Sequence, residues 1–283
     1  MWKFSDDHGF TWGDRTYLMG VLNVTPDSFS DGGQFDTLER AIAQAHQMAT
    51  DGADFLDIGG ESTRPKAQPV SLETESQRVI PVIQAIRQGT DKHPALTTPI
   101  SVDTTKSAVA RAAIAAGANV INDVSGATYD PEMLSTAAEL NVPIVLMHLR
   151  GTPQTMTQLT QYDDLMGEIY EFLARRIDAA ITAGIPQSHI AIDPGIGFAK
   201  TYTQSLEILR SLPRLKSLGC PLLVGVSRKS FIGHLLNQPD PGQRVWGTAA
   251  ACCGAIAGGA DLLRVHDVRE MHDVCRVADA LYR

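Results

Sequence analysis

Positive charge is what this 283-residue chain has least of for its size: 24 Lys and Arg stand against 32 Asp and Glu, a formal net charge of -8. A nucleic-acid surface shows as a basic excess or stripe, so no nucleic-acid partner is expected and any anion site has to be local. Cysteine is also scarce. Cys220, Cys252, Cys253 and Cys275 show neither C-x-x-C nor the Cys/His spacing of a zinc site. The adjacent pair lies in an Ala/Gly run and reads as small core residues of a packed helix. Long apolar runs are missing as well. The stretch MWKFSDDHGF carries Lys3, Asp6 and Asp7 without an apolar signal core, and the least polar run, Gly247 to Ala260, is too short to span a bilayer. The expectation is a cytoplasmic protein with no membrane contact. No G-x-G-x-x-G turn, fixed repeat, low-complexity segment or charge run breaks the chain, so residues 1–283 are expected to form one domain.

What is present is a cycle of short apolar runs and helical patterns. Tyr17 to Leu22 ends in Asn23 and a Pro/Gly-rich loop, and a helix capped by Asp36 follows. Phe55 to Ile58 ends in Gly59-Gly60-Glu61-Ser62-Thr63-Arg64-Pro65, with a helix from Ser71 to Gln88. Ile100 to Val102 leads to Asp103 and a helix from near Thr105. Val120 and Ile121 end in Asn122-Asp123, before an Asp130-Pro131 helix start. Ile144 to Met147 ends in His148, with a helix from Tyr162 to Ala183. Ile190 to Ile192 ends in Asp193-Pro194-Gly195. Leu222 to Val226 runs into Ser227, Arg228, Lys229 and Ser230, expected on the first turn of a helix, and Leu262-Leu263 ends in Arg264-Val265-His266-Asp267 before a last helix. Strand runs that are apolar almost throughout, alternating with helices, indicate parallel pairing covered on both faces. Eight such units predict an α/β fold, a single (β/α)8 TIM barrel, whose active site lies at the C-terminal ends of the strands.

That rim collects Asn23, Thr63, Arg64, Asp103, Asn122, Asp193, Ser227, Lys229, Arg264 and His266. Asp103, Asn122, Asp193 and Lys229 suit a flat nitrogen heterocycle, because carboxylates accept paired N–H bonds while Asn and Lys meet ring carbonyl and imine atoms. Arg64, Arg264 and His266, with Asn23 and Thr63, suit a phosphate group and a metal. Asp103 reads equally as the cap of the following helix, and His148 as a satisfied histidine at the core edge. Asp123 and Asp267 read as caps or outer partners and are left out of the site.

The motifs MGVLNVTPDSFSDGG at 19–33, DIGGESTRP at 57–65, NDVSGA at 122–127, MHLRGTPQTM at 147–156, DPGIGF at 193–198, GVSRKSFIG at 225–233 and RVHDV at 264–268 resemble the dihydropteroate synthase family. The likeness covers the chain from about residue 15 onward. Two departures stand out: Lys66 where the family often has glycine, and Leu149-Arg150 where Met-Gln is more usual. The resemblance implies a folate-pathway transferase that condenses 6-hydroxymethyl-7,8-dihydropterin diphosphate with p-aminobenzoate, releasing diphosphate. It places the pterin against Asp103, Asn122, Asp193 and Lys229, with Met147 packed on it. Asn23 (through Mg²⁺), Thr63, Arg64, Arg264 and His266 would hold the diphosphate. Phe29, Pro65 and Phe198 would line the aminobenzoate slot, Ser227 would meet its carboxylate, and Asp31 would act as a counter-charge. Asp31, Arg64, Lys229, Arg264 and His266 are the expected catalytic group. The resemblance also implies sulfonamide inhibitors and a homodimer, the latter in line with the weakly polar helix from Gly242 to Gly259. Two alternatives are a pterin-binding methyltransferase domain, for which the phosphate-binding motifs would be surplus, and a catalytically silent homologue.

Overall fold

The computed structural model describes residues 1–4, 9–25 and 34–283, with only the backbone at 34–37. Eight parallel strands carry the molecule: β3 (Tyr17–Asn23), β4 (Phe55–Gly59), β5 (Ile100–Asp103), β6 (Val120–Asp123), β7 (Ile144–Met147), β8 (Ile190–Asp193), β9 (Leu223–Val224) and β10 (Leu262–Val265). Each pairs with its neighbour in chain order, and β10 pairs back onto β3. The Ile192–Leu222 bridge and a 3.0 Å bond from Ile192 N–H to the Pro221 carbonyl join β8 to β9, so the ring closes as the sequence predicts. Helices α1 (Gln34–Thr50), α2 (Leu72–Gln88), α3 (Ser107–Ala116), α4 (Met133–Leu140), α5 (Leu165–Thr182), α6 (Tyr202–Ser211), α7 (Ser230–Leu235), α8 (Val245–Ala257) and α9 (Val268–Tyr282) follow the strands in turn.

Several boundaries differ from the predicted ones. Helix α1 begins at Gln34, which leaves Asp36 inside it. Asp130 does not start α4; its Oδ1 accepts the Glu132 N–H and its Oδ2 the Ser107 N–H, and the helix begins only at Met133. The Ser227–Ser230 cluster is not a helical first turn. Arg228 takes a left-handed backbone (φ 58), which turns the chain, and Lys229 is the N-cap of a short helix that starts at Ser230.

Two β-strands preceding the barrel were not predicted. Here β1 (Trp2–Lys3) and β2 (Gly9–Phe10) form an antiparallel ribbon with Trp2 opposite Phe10. Their aromatic rings close the N-terminal end of the barrel: Phe10 stacks on Phe55 at 4.4 Å, and Trp2 Nε1 donates to the Ser188 carbonyl at 2.9 Å. Tyr17, Met19, Val120, Val145, Ala191, Leu223 and Leu262 complete this apolar plug. Because side chains alternate along a strand, residues two positions further on share the interior face. The layer above the plug is therefore set by Asp57, Asn122, Met147, Asp193 and Arg264, and it is polar. The barrel changes from oil to charge within two residues.

Candidate active site

Arg264 is the centre of that polar layer. Its Nε donates to Asp57 Oδ2 at 2.6 Å, and its Nη2 donates to Asp103 Oδ2 at 2.8 Å. Asn122 Nδ2 reaches the same Asp57 carboxylate at 3.2 Å. Burial works against the Arg264 cation, but Asp57 and Asp103 outweigh it and hold it above its ordinary value. Asp103 is thus a partner of Arg264 and not a cap of α3; Thr104 does the local work by accepting the Lys106 N–H. Sequence reasoning missed Asp57. An acid two positions beyond Phe55 in FLDIG faces the barrel interior by strand parity, and that was the available signal.

Opposite this triad stand Asp193 and Lys229. Asp193 Oδ1 accepts the Gly195 N–H at 2.7 Å, and Lys229 Nζ lies 4.1 Å from the centre of the Phe198 ring. Burial pushes Asp103 up to about 7, with Arg264 opposing and Asp57 adding to the rise. It pushes Asp193 up to about 6 against the Gly195 N–H and Lys229, and brings Lys229 down to about 8 against Asp193. Three groups that titrate near neutrality face one cleft. Such matching marks sites that exchange hydrogen bonds with a ligand.

Beside them runs an apolar wall of Val124, Met147, Leu149, Met156 and Ala199, with Phe198 against it. It offers an apolar face beside the polar floor, and Met147 is part of it. Leu149 is buried there, and the Arg150 guanidinium lies 3.7 Å over the Tyr162 ring while pairing with Glu168, so both departures from the usual motif serve packing. Lys66 adopts φ 67, a left-handed backbone that glycine takes most readily. Its N–H bonds the Pro153 carbonyl at 2.8 Å, which ties the loop after β4 to the loop after β7.

The groups expected to meet the aminobenzoate carboxylate and the diphosphate are placed as follows. Ser227 Oγ accepts the His266 N–H at 3.1 Å and lies 3.0 Å from His266 Nδ1, so its hydroxyl serves His266 and does not stand free at a helix N-terminus. Burial, with Arg264 and Arg228 nearby, brings His266 down to about 3; it is a neutral hydrogen-bonding group and brings no charge. Arg228 turns away to pair with Asp267, so only Lys229 of the basic cluster faces the cleft. Asp267 is an outer partner, and Asp123, whose Oδ1 accepts the Ser125 N–H and hydroxyl, is a local cap. Thr63, Arg64 and Pro65 are on the loop after β4, with Arg64 and Pro65 exposed. Asn23 ends β3, in register with Gly59. Phe29 and Asp31 lie outside the described residues. Two cavities, of about 350 Å³ beside Trp12, Ser188 and Pro221 and of about 400 Å³ between Arg15, Asp54 and α9, take no part in this site.

A polar floor with paired acids and cations, one apolar wall and a neutral histidine beside an arginine make a receptacle for a nitrogen heterocycle carrying an anionic tail. Residues 19–266 match the model of the family described as pterin binding enzyme. Over 274 residues the chain is 58% identical to the dihydropteroate synthase of Synechocystis sp., covering 97% of this chain and 93% of that one. The chain belongs to the dihydropteroate synthase family. Among solved dihydropteroate synthases, the Clostridium difficile enzyme in the presence of pteroic acid superimposes with a TM-score of 0.89 at 43% identity, covering 97% of this chain and 100% of that one. The Xanthomonas albilineans enzyme with 4-aminobenzoic acid gives 0.87 at 48% identity, over 95% and 93%. Within the dihydropteroate synthase frame, Asp57 becomes part of the floor that fixes Asp103 and Asn122.

Proposed function

We propose that the chain carries out the dihydropteroate synthase reaction as a dissociative displacement, with 6-hydroxymethyl-7,8-dihydropterin diphosphate losing diphosphate before p-aminobenzoate attacks. The observation that carries this is the Asp57–Arg264–Asp103 bridge facing Asp193 and Lys229. Ionised Asp103 and Asp193 accept ring N–H bonds while Asn122 and Lys229 meet ring acceptors, which orients the pterin along the Met147 wall. The same carboxylates favour positive charge on the ring and its methylene as the C–O bond breaks. Arg264 engages the acids through Nε and Nη2, and its Nη1 would turn to the departing diphosphate, with Arg64, Thr63 and neutral His266 as further donors. An arylamine is a weak nucleophile, so stabilising the leaving group counts for more than a strong base. The thiols of Cys220, Cys252 and Cys275 are buried and pushed up by that burial, and Ser227 pairs with His266, which burial and its arginine neighbours bring down to about 3 and so make a weak proton acceptor.

The side-chain oxygen of Asn23 at the end of β3 would hold Mg²⁺, an ion that usually takes few protein ligands beside phosphate and water. Its chemistry would be to neutralise charge on the diphosphate. The resemblance gives Phe29, Pro65 and Phe198 the aminobenzoate slot and Ser227 its carboxylate, where sulfonamides would compete; Asp31, on the first loop, would serve as counter-charge to the methylene cation. A cytoplasmic setting agrees with the absence, among the described residues, of any helix long and apolar enough to cross a membrane. A homodimer would cover the exposed Trp246, Val277, Leu281 and Tyr282 on α8 and α9, which are 79%, 63%, 69% and 55% exposed.

Diphosphate release measured with and without p-aminobenzoate tests the reading. Release coupled to dihydropteroate formation is expected. Neither a methyltransferase domain nor a silent homologue would give it. A bridging ¹⁸O that scrambles into the diphosphate of recovered substrate would support cleavage before attack; an unscrambled label at partial turnover would indicate a concerted displacement. Because Arg64 and Pro65 lie on one loop, diphosphate with Mg²⁺ should order the slot. Titrated p-aminobenzoate is therefore expected to bind measurably tighter with saturating Mg²⁺–diphosphate than without, and by linkage the reverse holds. Equal affinities would mean a slot formed in advance.

A further inference from the structure

One buried amine has no part in the reaction. Lys200 is 8% exposed, yet among the described residues its Nζ bonds no carboxylate: it donates to the Phe198 carbonyl at 2.8 Å and lies 2.9 Å from His148 Nδ1. His148 is itself 2% exposed, and burial together with the Lys200 charge keeps its ring neutral. Burying an amine between two neutral acceptors costs stability. The stretch it supports is unusual too. Gly195, Gly197 and Ala199 all have left-handed backbones, with φ of 67, 81 and 50, in a turn of five residues. A non-glycine residue such as Ala199 adopts that conformation only when its surroundings impose it.

The turn is what connects the two halves of the cleft. Its Gly195 N–H holds the Asp193 carboxylate, and Phe198 carries the ring under Lys229 Nζ. A Cβ placed on Gly197 would lie 3.3 Å from Lys229 Cδ, so the turn and that side chain are in contact. Two braces reach it from β7 and beyond: Lys200 on the Phe198 carbonyl, anchored by His148, and Tyr162, whose hydroxyl donates to the Ala199 carbonyl at 3.0 Å. His148 N–H also bonds the Asp193 carbonyl at 2.9 Å, so the anchor belongs to the same unit.

We propose that Lys200 is a positioning residue: its Nζ, seated on His148 and seconded by Tyr162, holds the 195–199 turn so that the Phe198 ring and Lys229 keep their places beside the incoming arylamine. This rests on the reading of Phe198 as a wall of the aminobenzoate slot. Asp193 keeps its bond to Gly195 without Lys200, and Lys200 influences that carboxyl less than burial, the Gly195 N–H and Lys229 do, so the pterin side of the cleft is largely spared.

Lys200→Met keeps the aliphatic stem and removes the Nζ. Burial holds the Lys200 amine well below the ordinary lysine range, so loss of its buried hydrogen bonds is expected to raise KM for p-aminobenzoate about fivefold to tenfold. The affinity for 6-hydroxymethylpterin should stay within about threefold, since its partners keep their bonds. Hydrogen exchange, read on a peptide spanning 195–200, should be faster by a comparable factor. Unchanged exchange would overturn the brace whatever the enzyme does. Faster exchange with unchanged KM, or equal losses for both ligands, would overturn the positioning role. Absence of diphosphate release by the wild-type protein would instead remove the functional reading beneath it. If Lys200→Met does not accumulate, Tyr162→Phe carries the same test: a selective rise in the aminobenzoate KM supports the proposal and unaltered kinetics overturn it.

Discussion

Replacing Arg264 with methionine is expected to destabilise the protein by about 3–5 kcal/mol and to weaken pterin and diphosphate together. Asp57 is fully buried and Asp103 nearly so, and the Arg264 guanidinium is the cation bonded to both. Removing one partner of a buried ion network leaves uncompensated charge, which costs more than the network contributes when intact. Asp103 would then hold its proton to higher pH, because burial and Asp57 already push it upward and Arg264 is what opposes them. A protonated Asp103 accepts fewer ring N–H bonds. From the sequence, where Arg264 and His266 alternate about Val265, the expectation would be a residue that grips diphosphate and leaves an unphosphorylated pterin untouched. The bond to Asp103 changes that. Urea unfolding gives the stability change, and calorimetry with 6-hydroxymethylpterin and with diphosphate gives the two affinities. Asp57→Asn in the Arg264→Met background should recover part of the stability and little of the activity. Loss confined to diphosphate would mean that Asp103 keeps its charge without Arg264.

The contrast between Arg264 and Lys200 shows where sequence reading reaches. Strand parity and apolar runs carry the barrel: the five strand ends that bear Asn23, Asp103, Asn122, Asp193 and Arg264 stand on one rim as predicted. Asp57 could have been found in the same way, since an acid inside FLDIG has nowhere to go but inward. Other features have no one-dimensional signal. The β1–β2 ribbon has strands of two residues, too short for any periodicity, and is held by aromatic contacts across the barrel floor. The direction of Arg228 depends on a left-handed backbone and on Asp267, 39 positions away. Lys200 reads as an ordinary loop lysine until His148 and the Phe198 carbonyl are seen around its Nζ.

Replacing Asp193 with asparagine is expected to weaken pterin binding yet stabilise the empty protein at alkaline pH. Burial raises this carboxyl from 3.8 to about 6 in the folded protein, against the Gly195 N–H and Lys229. Each tenfold change in proton affinity is worth about 1.4 kcal/mol, so the ionised side chain costs the fold about 3 kcal/mol above pH 6. The direction follows from where the proton is held. Between pH 6 and 3.8 the folded state binds a proton that the unfolded state has released, so the cost shrinks as pH falls through that window and is gone below it. Asparagine carries no charge to desolvate, and its amide oxygen can still accept the Gly195 N–H. Lys229 loses a counter-charge in the exchange, which returns part of the gain and leaves about 1–2 kcal/mol at pH 8. Unfolding curves for both proteins at pH 8 and pH 5 should therefore show an advantage for the variant that narrows with acid; taking the difference cancels Asp103 and Asp123, which burial also raises. Pterin affinity should move the other way. A hydrogen bond to a charged acceptor is worth about 1.5–3 kcal/mol, so calorimetry at pH 8 should find binding weaker by about tenfold or more. Wild-type affinity should decline as Asp193 protonates below pH 6, with a flatter profile in the variant. A variant less stable at pH 8, or one that binds pterin as the wild type does, would show that the Asp193 charge is not held at the fold's expense for the ligand.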